Sequence, residues 1–114
     1  MAKIVKKSEA TQTTEHGIST FTAYEFSPKD FSLGISEVNG RYPQTGTDAD
    51  MDVSQIWYVV SGSGKVEVND NTFELSEGDM LHIDKGERFV IDGNLKLVVA
   101  SAPVWTPEQH KHFD

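Results

Sequence analysis

The longest apolar run of the chain covers residues 56–60 and reads Ile-Trp-Tyr-Val-Val. Its length and its β-branched and aromatic residues favour a strand over a helix. Every position is apolar, instead of every second one, so we expect both faces of this strand to be covered, one by the core and one by a partner. Gln55 stands before the run and two glycines follow it, at 62 and 64.

Shorter alternations of apolar and polar residues surround this strand, such as Val66/Val68 and Leu81/Ile83. Turn-forming residues separate them, and the predicted turns lie at 62–64, 69–71, 77–78, 85–86 and 92–94. Many short strands at even spacing are typical of an all-β sandwich or barrel. We therefore predict one domain over residues 1–114, with a core barrel at about 18–104.

The C-terminal residues show a different pattern. Thr106-Pro107-Glu108-Gln109 combines a hydroxyl N-cap, a proline at the first helical position and a glutamine three residues after the cap. These signals predict a short helix over about 107–113. On such a helix His110 and His112, two residues apart, would not face each other, so no joint role is expected of them.

Charge and composition narrow the function classes. The net charge of −8 argues against nucleic acid and against an anionic membrane surface, and leaves an uncharged or cationic small molecule or another protein. The absence of cysteine excludes disulfides and thiolate sites. No apolar stretch approaches the roughly 20 residues of a membrane span, and the N-terminus lacks the apolar segment of a signal peptide, so a cytoplasmic location is expected.

Three features together resemble the cupin superfamily. Gln55 stands seven residues before Gly62, a Gly78-Asp79 pair leads to a turn at Gly86, and the segment 98–107 ends in Ala-Pro-Val-Trp-Thr-Pro. The resemblance is closest to small single-domain cupins of the phosphomannose-isomerase-like type. It implies a jelly-roll barrel, or double-stranded β-helix, which with the C-terminal helix completes the predicted fold. It also implies a homodimer, for which exposed Tyr58 and Trp105 are candidate interface aromatics.

The same resemblance argues against the family's usual metal. Where it would have two histidines and a glutamate, this chain has Asp48, Asp50 and Gln55, and Phe89 stands at the position of the last histidine. We therefore predict no metal and no cofactor. An oxygen-only site formed by Asp48, Asp50 and Gln55, suited to Mg, Ca or Mn, is the alternative. A third interpretation is that these aspartates lie, solvated, in a long polar loop at 39–52.

The leading functional hypothesis is a metal-independent binding protein for a small polar or carbohydrate-like molecule. The resemblance implies that Gln55 and Trp57 face the barrel interior and that Phe89 comes from the opposite wall, which would form a ligand site. Phe89 could equally be ordinary packing. His82 is included as a fourth candidate, since its strand could turn it towards the pocket or towards solvent.

Two alternatives belong to other classes. In an isomerase- or epimerase-like enzyme, Asp48 and Asp50 would be close enough for one carboxylate to have a raised pKa and to act as an acid beside a base. In the second alternative, the chain is a non-catalytic dimeric interaction domain whose barrel is closed and filled by side chains.

Overall fold

A computed structural model describes residues 2–26 and 28–114. Over these residues the chain forms nine strands and two 3-10 helices of three residues each, at Lys7–Glu9 and Pro107–Gln109, with no α-helix. The strands are β1 Thr11–Glu15, β2 Ser19–Ala23, β3 Ser32–Tyr42, β4 Thr47–Asp50, β5 Ser54–Val68, β6 Asn71–Ser76, β7 Met80–Ile83, β8 Phe89–Ala102 and β9 His110–Phe113.

All strand pairs are antiparallel and belong to one curled sheet. The order is β1-β2-β3-β8-β4-β9, and β5 pairs with β6, β7 and β8. Strand β8 pairs with β3 on one edge and β5 on the other over most of its length, so it is the centre of the sheet. The predicted all-β barrel is confirmed. None of the described residues belongs to a helix long and apolar enough to cross a membrane.

Burial alternates along β5, although its sequence does not. Gln55, Trp57 and Val59 point into the barrel, whereas Ile56 is 48% exposed and Tyr58 38% exposed. The inner face belongs to one hydrophobic core made by β3, β5, β6, β7 and β8. Its buried members are Val38, Trp57, Val59, Val66, Val68, Leu75, Leu81, Ile83, Phe89, Ile91, Leu95, Leu97 and Val99.

The glycines predicted to mark turns at 62–64 and 92–94 instead lie inside β5 and β8. Gly40, Gly64 and Gly93 are aligned across β3, β8 and β5 by the strand register. A β-carbon on Gly93 would collide with the backbone of Ser63 and Gly64. Glycine within a strand permits this close approach of backbones where a sheet bends, so these residues mark a corner of the barrel.

Two other predictions about local structure are corrected. The helix begins at Pro107 as expected, but it lasts one 3-10 turn, and residues 110–113 form β9, which pairs with β4. The predicted polar loop at 39–52 is largely strand, because β3 continues to Tyr42 and β4 occupies Thr47–Asp50. In both places pairing with a neighbouring strand overrides the local preference.

Gly62→Ala tests how closely β5 and β8 approach. Gly62 has a φ of 88°, and an added β-carbon would overlap the carbonyl oxygen of Asn94. Gly78 has nearly the same φ, 91°, with no atom within 4 Å of such a carbon, so Gly78→Ala is a matched control for backbone strain. We expect Gly78→Ala to lower the free energy of unfolding by about 1 kcal/mol and Gly62→Ala by about 2 kcal/mol more. Urea unfolding measures both, and equal losses would contradict the close approach.

Candidate functional site

The pairing of β4 with β9 brings two aspartates and two histidines onto one face. Asp48 is opposite His112 and Asp50 is opposite His110 in the register. Successive side chains of a strand point to opposite faces, so residues two apart share a face. The sequences Asp-Ala-Asp and His-Lys-His are therefore matched, each with its polar pair directed to the same side.

These side chains form an unbroken row of contacts between carboxylates and imidazoles. Nε2 of His110 lies 2.9 Å from Oδ2 of Asp48, and its Nδ1 lies 2.7 Å from Oδ1 of Asp50. Nδ1 of His112 lies 2.7 Å from Oδ1 of Asp48, and its Nε2 lies 3.0 Å from Oδ1 of Asp114. Each oxygen of Asp48 thus has its own imidazole, and every ring nitrogen of the pair has a carboxylate.

Trp105 closes the inner end of the row. Its indole Nε1–H donates to Oδ1 of Asp50 at 2.8 Å. The indole ring also lies against Phe21, with ring centroids 5.8 Å apart, and near the His110 ring, at 6.2 Å. The side chain is half-buried instead of exposed as predicted, because it supports the site from behind.

The charges follow from these contacts. Burial disfavours a charged His110, but the hydrogen bonds and negative charges of Asp48 and Asp50 outweigh it and raise the pKa of His110 to about 10. Burial also disfavours charged Asp48, yet hydrogen bonds from His110 and His112 hold the pKa of its carboxyl below the usual value. At neutral pH the inner pair is therefore imidazolium and carboxylate.

A cleft of about 330 Å³ opens beside the row, at Asp48, His110 and His112. It is lined by Glu15, His16, Tyr42, Pro43, Gln44, Thr45, Asp48, His110 and His112. Glu15 and His16 come from the tight turn between β1 and β2, where the Ile18 N–H donates to the Glu15 carbonyl oxygen at 3.0 Å and His16 and Gly17 both have positive φ. The cleft is thus formed where that hairpin meets the end of β3 and the β4–β9 pair.

Two lining groups have altered acidity besides the inner pair. Burial, together with the nearby carboxylates of Asp48 and Glu15, raises the pKa of the Tyr42 phenol, which keeps its proton. Hydrogen bonds to Asp48 and Asp114 raise the pKa of His112. The His112 side chain is 42% exposed, so among these residues it is a titrating group that solvent and a ligand can reach.

The predicted acidic pair is therefore real, but two of its predicted properties are wrong. Asp48 and Asp50 are 3% and 8% exposed, so they are not solvated. The expectation that mutual repulsion would raise the pKa of one carboxyl fails for Asp48, whose pKa is lowered. The reason in both cases is β9, which places an imidazole between the two carboxylates.

The four predicted ligand-binding residues are placed on two faces of the sheet. Nε2 of Gln55 donates to Oγ of Ser101, and its Oε1 accepts from Nε1 of Trp57, both at 3.0 Å. Trp57 and Phe89 meet edge to face with ring centroids 5.0 Å apart. His82 is exposed on the other face, beside Ile56 in the register, with its Nε2 2.8 Å from Oγ of Ser54. Ligand binding by the buried three stays a prediction.

The residues at the family's metal positions do not fit a metal. Asp48 and Asp50 accept from imidazoles, the Gln55 amide is engaged at both ends, and Phe89 has no lone pair. A protonated His110 has none to offer either. In the described part of the chain, no group of three or more His, Asp or Glu side chains has the arrangement of a metal site.

Sequence reasoning missed His110, His112 and Tyr42, and a signal existed for the first two. His-Lys-His has the same spacing of two as Asp48 and Asp50, which is what two paired strands need. The preceding Pro107 turn predicted a helix, and on a helix that spacing separates the rings. No sequence pattern indicated Tyr42, since its role depends on how far β3 extends.

Comparisons with known proteins agree with the fold. The cupin domain model matches residues 49–92. Pac13, a nucleoside dehydratase, is 18% identical over 99% of this chain and 92% of its own, with a TM-score of 0.88. A Streptomyces PAC13 variant with uridine has 19% identity over 100% and 92% of the two chains and a TM-score of 0.89. KdgF from Halomonas sp. has 17% identity over 95% and 98%, with a TM-score of 0.73.

No curated protein shows a significant sequence match. The cupin domain model thus matches the central part of this chain, and the solved structures share its barrel fold.

The raised pKa of His110 predicts how stability depends on pH. Its contribution to folding is fully present below its unfolded pKa of about 6.5 and is lost as pH rises through about 10. We expect His110→Gln to lower the free energy of unfolding by about 3 kcal/mol near pH 6, because two buried carboxylates lose their cation. The difference from the unaltered protein should shrink as pH rises through about 10.

Urea unfolding at a series of pH values measures this difference. Glu74→Gln, at an exposed side chain of β6 away from the site, is the control and should change stability by less than about 0.5 kcal/mol throughout. A difference for His110→Gln that stays constant up to the highest pH would contradict the assigned ion pair.

Proposed function

We propose that this cupin is a metal-independent enzyme that moves protons on a small sugar- or nucleoside-like molecule, in a dehydration or isomerisation. The observation that supports this most is the row of carboxylates and imidazoles from Asp114 to Asp50, which ends at an open cleft. Paired titratable groups whose environments separate their pKa values are typical of acid–base sites. This develops the isomerase-like alternative in preference to a binding site around Trp57 and Phe89, which pack against each other.

His112 is the proposed proton-transfer residue. Its Nδ1 contacts Asp48, which selects the tautomer, whereas its Nε2 contacts Asp114, a side chain that is 88% exposed. A substrate can displace such an exposed carboxylate and occupy the space before Nε2. In its neutral form His112 then removes a proton from a carbon next to a carbonyl group.

The remaining groups support that step. The Tyr42 phenol keeps its proton and donates a hydrogen bond to the carbonyl oxygen, where negative charge develops. For a dehydration, the proton on His112 passes to a hydroxyl group on the neighbouring carbon, the carbon–oxygen bond breaks, and water leaves. For an isomerisation, the proton returns to the carbon skeleton at the adjacent position. His110 stays charged and holds Asp48 and Asp50 in place.

The neighbours in the structural comparison support the choice of substrate class. Pac13 is a nucleoside dehydratase, and its variant is described with uridine. Both share this barrel with identities below 20%, so the likeness supports the fold and only suggests the chemistry. Simple ketoses and aldoses, which carry the required carbonyl group, are accordingly the first compounds to test for the reaction, and uridine, whose ribose has no carbonyl group, is the first to test for binding.

His112→Gln should lower the rate by about 100-fold or more, since glutamine can form a hydrogen bond but cannot carry the proton. The assay incubates the protein in deuterated water with aldoses and ketoses, and detects exchange at carbon by NMR and loss of water by mass spectrometry. Glu74→Gln, at an exposed side chain of β6 that does not line the cleft, should keep the full rate. A chelator should leave the rate unchanged.

Two outcomes would contradict the proposal. Equal rates for His112→Gln and the unaltered protein would remove His112 from the chemistry. Activity that a chelator abolishes and a divalent cation restores would favour the oxygen-ligated metal alternative. Tight binding without exchange or water loss would favour the binding protein.

We also propose that the outer face of the barrel is the contact between two copies of the chain. Ile56, Tyr58 and Met80 are exposed by 48%, 38% and 67%, and the register places Tyr58 between Met80 of β7 and Val98 of β8. Leu33 and Ile35 continue this face on β3 through their partners Ala100 and Val98. A second copy would cover these residues and explain why β5 is apolar on both faces.

Tyr58→Glu should convert this dimer into a monomer, because it would bury a carboxylate among apolar side chains. Light scattering after size-exclusion chromatography measures the mass. Phe73→Glu, at an exposed aromatic residue on β6, is the control and should leave the mass unchanged. A monomeric mass for the unaltered protein would exclude the proposed contact.

A further inference from the structure

The cleft carries an excess of negative charge, which bears on the substrate of the proposed function. Its lining residues and the row behind them contain four carboxylates, those of Glu15, Asp48, Asp50 and Asp114, and three imidazoles, those of His16, His110 and His112. The group is therefore negative even when all three imidazoles are protonated, and more negative when they are not.

Two of these three imidazoles are already engaged by protein carboxylates. His110 lies between Asp48 and Asp50, and His112 between Asp48 and Asp114. An anionic ligand would have to compete with these contacts for the same ring nitrogens. Carboxylate and phosphate groups are normally recognised by Arg or Lys, or by a cluster of backbone N–H groups.

Among the described residues that line the cleft, none is Lys or Arg. Arg41 is adjacent in sequence, but it precedes Tyr42 on β3, so the two side chains leave opposite faces of the strand. Its guanidinium donates to the carbonyl oxygens of Pro43 and Gly46, which fixes the loop at the rim of the cleft. It is thus committed to supporting the backbone.

Glu15 is the carboxylate best placed to act on a ligand. It lies at the tip of the β1–β2 hairpin, its side chain is exposed, and it is close enough to the Tyr42 phenol to contribute to the raised pKa of that group. It makes no ion pair with a described residue. A free carboxylate in this place accepts hydrogen bonds from hydroxyl groups and repels anions.

We propose that the cleft selects uncharged polyhydroxylated molecules, such as free nucleosides and sugars, over their phosphorylated counterparts, and that Glu15 sets this preference. The proposal rests on the proposed function of the same cleft. It restricts the substrates to unphosphorylated molecules. The reaction that supplies the substrate must therefore either remove a phosphate group or act on a molecule that carries none.

The test compares uridine with uridine monophosphate, and ribose with ribose phosphate. The imidazole NMR signals of His110 and His112 are followed during each titration at low ionic strength. We expect each uncharged compound to bind at least about tenfold more tightly than its phosphate ester. The ratio should fall as salt is added, because the repulsion is screened.

Glu15→Gln keeps the size and hydrogen-bonding reach of the side chain and removes its charge. It should reduce the preference for the uncharged compounds by several-fold. Glu74→Gln removes one negative charge from an exposed position on β6, away from the cleft. It should leave the ratio of the two affinities unchanged. It therefore separates a local effect from the overall charge of −8.

Equal or tighter binding of the phosphate esters would overturn the proposal, as would the same ratio in Glu15→Gln, or the absence of shifts with all four compounds. Failure of the proposed function is a separate result. Selective binding of ribose without proton exchange or water loss would leave the charge preference standing and reject the enzyme.

Discussion

The site depends on one buried carboxylate, that of Asp48, whose two oxygens contact two different imidazoles. A carboxylate that is 3% exposed is costly unless it is paired, and its neighbour Asp50 is almost as deeply buried. Strand β9 supplies both partners. In the described structure β9 pairs only with β4, so the same short ladder that anchors the end of the chain also compensates the charge of the site.

Because of this pairing, the pKa values of the site residues are linked to the stability of the fold. The contact between His110 and Asp48 raises the pKa of His110 and lowers that of Asp48, because each group stabilises the charged form of the other. Trp105 adds a neutral donor to Asp50. The result is a rigid charged row whose outer end, at His112, remains accessible.

The sequence predicted the fold well and the site only in part. Periodicity, turn residues and the cupin resemblance identified the barrel, because short alternating strands carry a strong local signal. The sequence predicts turns at Gly64 and Gly93, because glycine is typical both of loops and of the corners of a barrel. That distinction depends on which backbones meet, and Gly93 meets Gly64 only after β5 and β8 have paired.

The site was missed for a similar reason. The helix signal at Pro107 is genuine, but it extends for one turn, and a free edge of β4 then captures residues 110–113 as a strand. Changing a helix into a strand changes which side chains share a face. His110 and His112 diverge in the first case and stand side by side in the second. No local pattern encodes the partner strand, so this part of the chemistry appears only with the tertiary fold.

The residues at the positions where the cupin resemblance implies metal ligands have a different role in this structure. At the positions where the resemblance implies metal ligands, Gln55 is tied to Ser101 and Trp57, and Phe89 packs against Trp57. These side chains are buried and contact one another, whereas the charged groups lie on β4 and β9. Imidazoles are present in both arrangements. Bound to a metal they must be neutral, but here the neighbouring carboxylates raise the pKa of His110 and of His112 and so favour the protonated form.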